Sequence, residues 1–306
     1  QAGKSISSGG TNVIIGHQAM DTATTPANGV FIGNNVGGEA TTTGNQNNIV
    51  GAESGLALTS GTSNMVFGPF AFQANTTGSR NMVMGSDALR YPDTENDNIA
   101  IGHLALGGSG IAGGEFNIGI GSNTLDALTS ADENIAIGYR AGSALTTGSS
   151  NVFIGANSAQ TGVITGANNI GIGPTTTQKL TSGANNIGIG ANALQDTTTG
   201  SSNTAVGYTA GKDITTGASN TIMGATAAIA LTEGHSSVII GQNAGAALTT
   251  GHSVVFIGQA AGDGHDTEHD NLAIGRAALG GAVAGGEFNV AVGNYALDAV
   301  SSGEYN

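Results

Sequence analysis

The chain contains no cysteine and no tryptophan, only four prolines, and only 9% charged residues. A soluble globular protein carries about 25% charged residues. Without cysteine, no disulfide or thiolate metal site can hold the fold, and that absence fits any compartment. Basic residues are scarce: 7 Lys and Arg stand against 21 Asp and Glu, a formal net charge of −14. No basic stripe exists to displace counterions from nucleic acid or to seat on anionic lipid, so neither is expected as a partner. No run of about 18 apolar residues occurs, so membrane insertion is not expected either. Leu, Glu, Lys and Arg are too few for a helical bundle, and charge is too low for a disordered tail.

What is abundant is glycine, 53 of 306 residues, more than twice the usual share of about 7%. It is not in collagen register, which would need about one residue in three and abundant proline. Instead one signal recurs from end to end: Asn, three residues that are mostly aliphatic or small, then Gly. Examples are 12–16, 64–68, 98–102, 134–138 and 186–190. The closing glycines fall at 16, 33, 51, 68, 85, 102, 121, 138, 155, 173, 190, 207, 224, 241, 258, 275 and 293. Successive differences are 17 in twelve cases, 18 in three and 19 in one. A small residue follows at the third position after Gly, as at Ala105, Ala193 and Ala244, and Thr-Thr-Gly recurs further on, preceded by Leu at 145–148 and 248–251.

Short aliphatic runs bounded by Gly and Asn are strand and turn signals. Seventeen residues are too few for two helices with their turns. They suit one coil of a parallel β-solenoid, with two short strands and two turns. The expected fold is therefore all-β: a single continuous solenoid (β-roll or β-helix) over 1–306, of about seventeen coils. Stacked coils would align the Asn residues into an amide ladder. A longer period is superposed, since 98–108 returns at 271–281 and 113–117 at 285–289, an offset of 172–173 or ten coils. The N-terminus, Gln1-Ala2-Gly3-Lys4-Ser5, has neither a signal core nor an initiator methionine, and the chain stops where a new copy would open. A piece of a longer fibre is the expectation.

Within Asn-x-x-x-Gly, the first and third x share one face and the middle x takes the other. First and third are mostly Ile, Val or Met and are expected to fill the coil's core. The middle residues are Ile14, Phe31, Val66, Val83, Ala100, Gly119, Ala136, Phe153, Gly171, Gly188, Ala205, Ile222, Ile239, Phe256, Ala273 and Ala291. All are apolar or glycine. A greasy stripe of that length is more than a monomer tolerates in water, so these sixteen residues are the expected self-association face.

The strings at 98–102 and 134–138, with Asn271-Leu-Ala-Ile-Gly275, resemble the head repeats of trimeric autotransporter adhesins (YadA-like). Similar glycine-rich arrays occur in the tail fibres of bacteriophages. The resemblance implies a parallel β-roll, homotrimeric assembly and a role in surface attachment, hence an extracellular, cell-surface or virion location. A cell-surface glycan or host receptor is the partner implied besides the chain itself.

Chemistry is sparse. No Ser-His-Asp order stands out, and no Lys-Ser/Thr follows a glycine pair as a phosphate loop requires; no enzyme, catalytic residue or cofactor is expected. The sharpest local feature is an acidic turn, Asp263, His265, Asp266, Glu268 and Asp270, with Asp93, Glu95 and Asp97 as its earlier equivalent. Oxygen ligands at alternate positions could hold calcium, and the histidines a transition metal. The full spacing of a calcium loop is lacking, which favours a solvated turn. The sequence thus reads as a non-enzymatic fibre or adhesin shaft, with a filament or sheath subunit lacking a ligand surface as the alternative. An ice-binding solenoid is a lesser one, raised by the threonines aligned one per coil (Thr59, Thr146, Thr198 and Thr249 among them).

Overall fold

A computed structural model of the chain describes residues 1–91, 94–108, 114–281, 286–300 and 302–306. It is an all-β parallel solenoid; among the described residues there are seventeen three-residue strands and no helix, giving about sixteen coils. The chain divides into two compact units, residues 1–150 and 151–306. The first carries β1 (Val13–Ile15), β2 (Val30–Ile32), β3 (Asn48–Val50), β4 (Met65–Phe67), β5 (Met82–Met84), β6 (Ile99–Ile101), β7 (Ile118–Ile120) and β8 (Ile135–Ile137). The second carries β9 (Val152–Ile154), β10 (Ile170–Ile172), β11 (Ile187–Ile189), β12 (Thr204–Val206), β13 (Thr221–Met223), β14 (Val238–Ile240), β15 (Val255–Ile257), β16 (Leu272–Ile274) and β17 (Val290–Val292). In each unit successive strands pair in parallel, one coil apart and in register, as in Val13↔Val30 and Ile187↔Thr204.

Each coil has one strand, where two were expected. The reason lies in the backbone after the closing glycine. The second and fourth residues beyond it take left-handed φ, for example Asn192 at 59° and Leu194 at 51°. Left-handed residues interrupt extended geometry, so the chain bends instead of forming a second strand. The bends are nonetheless stitched between coils, as by Leu194 N–H to the Ala210 carbonyl at 3.1 Å and Thr198 N–H to the Thr215 carbonyl at 3.0 Å. Backbone groups are thus satisfied all round the coil, as burial demands.

The Asn column forms the ladder. Asn203 shows its full pattern: its backbone N–H donates to Asn186 Oδ1 at 3.0 Å, and its Nδ2 donates to the same oxygen at 3.2 Å and to the Gly217 carbonyl at 2.8 Å. Asn186 and Asn220 repeat it. These amides are buried, so the bonds are obligatory and not decorative. At Ser237 the hydroxyl only partly substitutes, accepting from Val254 N–H at 3.4 Å.

Residue i+2 from an inward-pointing Asn must also point inward. Ala100, Ala136, Phe153, Ala205, Ile222 and Ala273 are accordingly buried within the chain, as is Phe256, two residues after the buried Val254. The strand's middle residue is core, against the small residue three past the glycine (Ala193, Ala210, Ala244) and the turn Leu (Leu145, Leu231, Leu248), all buried. Its size is matched locally. Beneath Phe256, Gly262 has no room for a Cβ, which would come 2.5 Å from ring carbons. A Cβ on Gly119 would lie 3.1 Å from Leu106 Cδ1, and one on Gly188 would lie 2.8 Å from Thr176 Cγ2.

The closing glycine is fixed by a different constraint. Its φ lies between +126° and +154° throughout. A Cβ there would meet the carbonyl oxygen of the next coil's closing glycine at 2.0–2.7 Å wherever those two face each other within a unit. Gly224→Ala is therefore expected to cost at least about 2–3 kcal/mol, from strain plus forced coil separation. Tm, which moves by about 2–4 °C per kcal/mol for a chain of this size, should fall by several degrees. Ser202→Gly, at an exposed left-handed residue (φ 60°), should leave Tm unchanged or raise it. Equal effects of the two substitutions in a melting experiment would contradict this account.

Candidate functional site

Because the middle residue points inward, the first and third residues of each strand point out. This reverses the expectation from sequence. Of the expected self-association residues, Phe31, Val66, Val83, Ala100, Gly119, Ala136, Phe153, Gly171, Gly188, Ala205, Ile222, Ile239, Phe256, Ala273 and Ala291 are all buried inside their own coils, and Ile14, in the first coil, is half-buried. None of the fifteen buried ones can meet a partner without opening the solenoid. Their variation from Gly to Phe tracks neighbours in the core, not the thickness of an interface.

The outward columns are the candidate site. In the first unit, 15 of the 16 flanking strand residues are apolar, the exception being Asn48; in the second, 16 of 18 are, the exceptions being Thr204 and Thr221. Most are Ile or Val, half-buried or exposed; Ile15 is 57% exposed, Phe67 40% and Met223 44%. Within each unit the columns are continuous because the pairing is in register from strand to strand. Each face is therefore an apolar sheet surface that no described layer of its own chain covers. Among the described residues, Asn48, Thr204 and Thr221 have no side-chain hydrogen-bond partner. The sequence signal for this face was the Asn itself: once its amide is placed inside, period-2 alternation settles which residues point out.

The acidic turn does not converge on a metal. His265 takes the column position held one coil earlier by Leu248, and its ring is fully buried, edge-on to Phe256 at 5.2 Å. Neither of its ring nitrogens has a hydrogen-bond partner. Glu268 is buried in the column otherwise held by turn glycines, and its carboxylate accepts from the Asp266 and Thr267 N–H groups at 2.9 and 3.1 Å. Asp266 accepts from the Thr249 hydroxyl, Asp270 lies 2.8 Å from His269 Nδ1, and burial pushes the Asp263 carboxyl above the usual range. In the earlier turn, Asp93 lies outside the described residues, Glu95 is buried with its carboxylate on Thr94 N–H, and Asp97 pairs bidentately with Arg80. Among the described residues no group of three His, Asp or Glu side chains is placed to hold a metal ion. No enclosed pocket occurs among them either, and no helix is long and apolar enough to cross a membrane.

Two further columns have a definite structure. His235, His252 and His269 stack with ring centroids 4.7 Å apart and planes within 5°. His269 is bracketed by Asp270 on Nδ1 and Glu287 on Nε2, each at 2.8 Å. Threonine hydroxyls donate to the next coil, as Thr181 to the Thr198 carbonyl at 2.9 Å and Thr232 to the Thr249 carbonyl at 3.1 Å. Those hydroxyl protons are committed to holding coils together.

Comparison with protein-family models, with curated proteins and with solved structures returns no match. The residues of this chain carry the functional argument by themselves.

His265 gives the turn a measurable signature. Burial pushes its imidazole below the ordinary histidine range; the Glu268 carboxylate opposes this, as does the Leu279 carbonyl, which does not reach hydrogen-bond geometry. With the native pKa depressed, the unfolded chain takes the proton first. The contribution of His265 to stability is therefore intact above the unfolded value of about 6.5 and lost as pH falls towards the depressed native value. His265→Leu should raise Tm at neutral pH, since two unpaired nitrogens are replaced by the column's usual leucine, worth about 1–3 kcal/mol. It should also shrink the drop in Tm between about pH 7.5 and pH 5. Identical drops in variant and wild type would refute the assignment.

Proposed function

We propose that this chain is a non-enzymatic structural segment of a fibre or adhesin shaft. It associates with copies of itself through the outward strand faces and holds a binding element away from a virion or cell surface. The observation that carries the reading is the pair of almost wholly apolar columns on those faces, broken only at Asn48, Thr204 and Thr221 among the described strands. A strand that is apolar on both sides is one that is covered on both sides.

The size of the face fits a second copy of the chain. A three-residue strand at about 3.3 Å per residue, stacked at about 4.8 Å, presents roughly 50 Å² per coil in flat projection. That gives about 380 Å² for eight strands and about 430 Å² for nine. Together they match the share of about 800 Å² that one partner contributes to a standard interface. The charge balance points the same way: with 9% charged residues, the chain has little with which to keep so large an apolar surface apart in water. Three copies about an axis is the arrangement implied by the resemblance to trimeric adhesin heads, and a closed ring of that kind covers every copy's face equally.

The two sides of a strand separate the claims. Ile137→Glu, on the outward face of β8, should leave the circular dichroism of the coil intact. It should raise the dissociation constant of the oligomer by a hundredfold or more, since burying an unpaired carboxylate costs roughly 3 kcal/mol or more. Ala136→Glu, one residue earlier and inside the core, should abolish the fold of the chain itself. Molar mass by light scattering, with circular dichroism alongside, reads both. A wild-type chain that stays monomeric at tens of micromolar would overturn the proposal.

A further inference from the structure

A face that repeats every coil has a difficulty of its own. Two copies could bind in many alignments, each slipped from the next by one strand spacing, with nearly the same apolar contact. Ile and Val recur so regularly in the outward columns that apolar burial alone chooses weakly among them. A fibre shaft needs one alignment, because its ends must come level.

The polar residues on the face are placed to make that choice. Asn48 stands in the first-position column of β3, between Val30 and Met65 in the register of the first unit. Thr204 and Thr221 stand in the same column of β12 and β13, adjacent in register, between Ile187 and Val238 in the second unit. Their side chains have no hydrogen-bond partner among the described residues. Such groups are harmless in water and costly when covered by apolar side chains. Thr in a Val column is not a neutral swap when covered, because of the hydroxyl.

We infer that Asn48, Thr204 and Thr221 are register marks: they align copies of this chain so that each polar side chain meets its own counterpart across the interface. This rests on the self-association proposed above. In register, Asn48 faces Asn48, whose amide offers both donors and acceptor, and the threonine pair faces the threonine pair. A slip of one coil brings Asn48 against Val30 or Met65 and leaves one threonine of each pair against Ile187 or Val238. A slip of two coils leaves all three unpaired. A lone polar residue at the apolar seam of a coiled coil fixes alignment by the same physics. Each mark works within its own unit, Asn48 in the first and the threonine pair in the second.

The test uses subunit sorting. Wild-type chain and the Thr204→Val/Thr221→Val variant, each with a distinguishable tag, are co-expressed, and the composition of the oligomers is read by native mass spectrometry. The same is done with Asn48→Val. If the marks pair with their counterparts, a mixed oligomer strands polar groups that both pure oligomers avoid. Mixed species should then fall at least fivefold below the binomial expectation. As a control, the conservative Ile240→Val variant on the same face should mix statistically with wild type. Statistical mixing of the polar-to-Val variants with wild type overturns the register inference while leaving self-association standing. Single chains in every sample overturn both, and light scattering of the wild type alone tells the two outcomes apart.

Discussion

Most coils of this protein turn on an asparagine amide that has no access to water, the column being broken at Gly29, Ser237 and Val254. A buried amide has to use its donors and its acceptor or forfeit the energy of removing them from solvent. In this chain it does so along the stack: its oxygen accepts from the backbone of the next coil's Asn, and its nitrogen reaches a turn carbonyl. This arrangement works only at one rise and one register per coil. The closing glycine, whose φ and crowding exclude a Cβ, follows from the same tight stacking. So does the in-register parallel pairing. The repeat is thus one packing solution propagated by a side chain that binds its own image.

Much of this was legible in the sequence. The period, the strand positions and the ladder follow from spacing and from residue chemistry, because Asn and Gly at fixed intervals admit few alternatives. Two features were misread, for related reasons. The second strand per coil fails because left-handed residues follow the glycine, and several of these are Leu, Phe or Met, such as Leu89, Phe72 and Met20. Such residues are rarely left-handed, and only tertiary packing holds them so. The strand was also turned inside out. When both faces of a strand are apolar, hydropathy does not say which is inside. Phase does: Asn81 and Val83 stand two residues apart and so share a face, and the Asn81 amide is buried.

The inner and outer columns follow different rules, and the contrast separates folding from association. Inside, residue size ranges from Gly188 to Phe256, and each extreme is offset by a neighbour, Thr176 filling where the strand is small and Gly262 yielding where it is large. That is the mark of a close-packed interior, in which volume is conserved locally. His265 is the exception. It fills a leucine position with a ring whose nitrogens are unpaired, and burial pushes its imidazole below the ordinary histidine range.

Outside, there is no such compensation, and yet residue type hardly varies. Nothing in the chain's own core demands Ile or Val at Ile99, Ile101, Ile118, Ile120, Ile135 and Ile137, since these side chains leave the core. Water would be better served by Thr or Lys at such positions, as on the free face of many antiparallel sheets. A near-uniform aliphatic surface is suited to a partner that is itself uniform and has the same pitch, which is why we propose a second copy of the chain as that partner. The few polar residues on that surface then matter more than the many apolar ones. On a surface of interchangeable contacts, affinity comes from the repeat, whereas alignment can come only from the places where the repeat is broken.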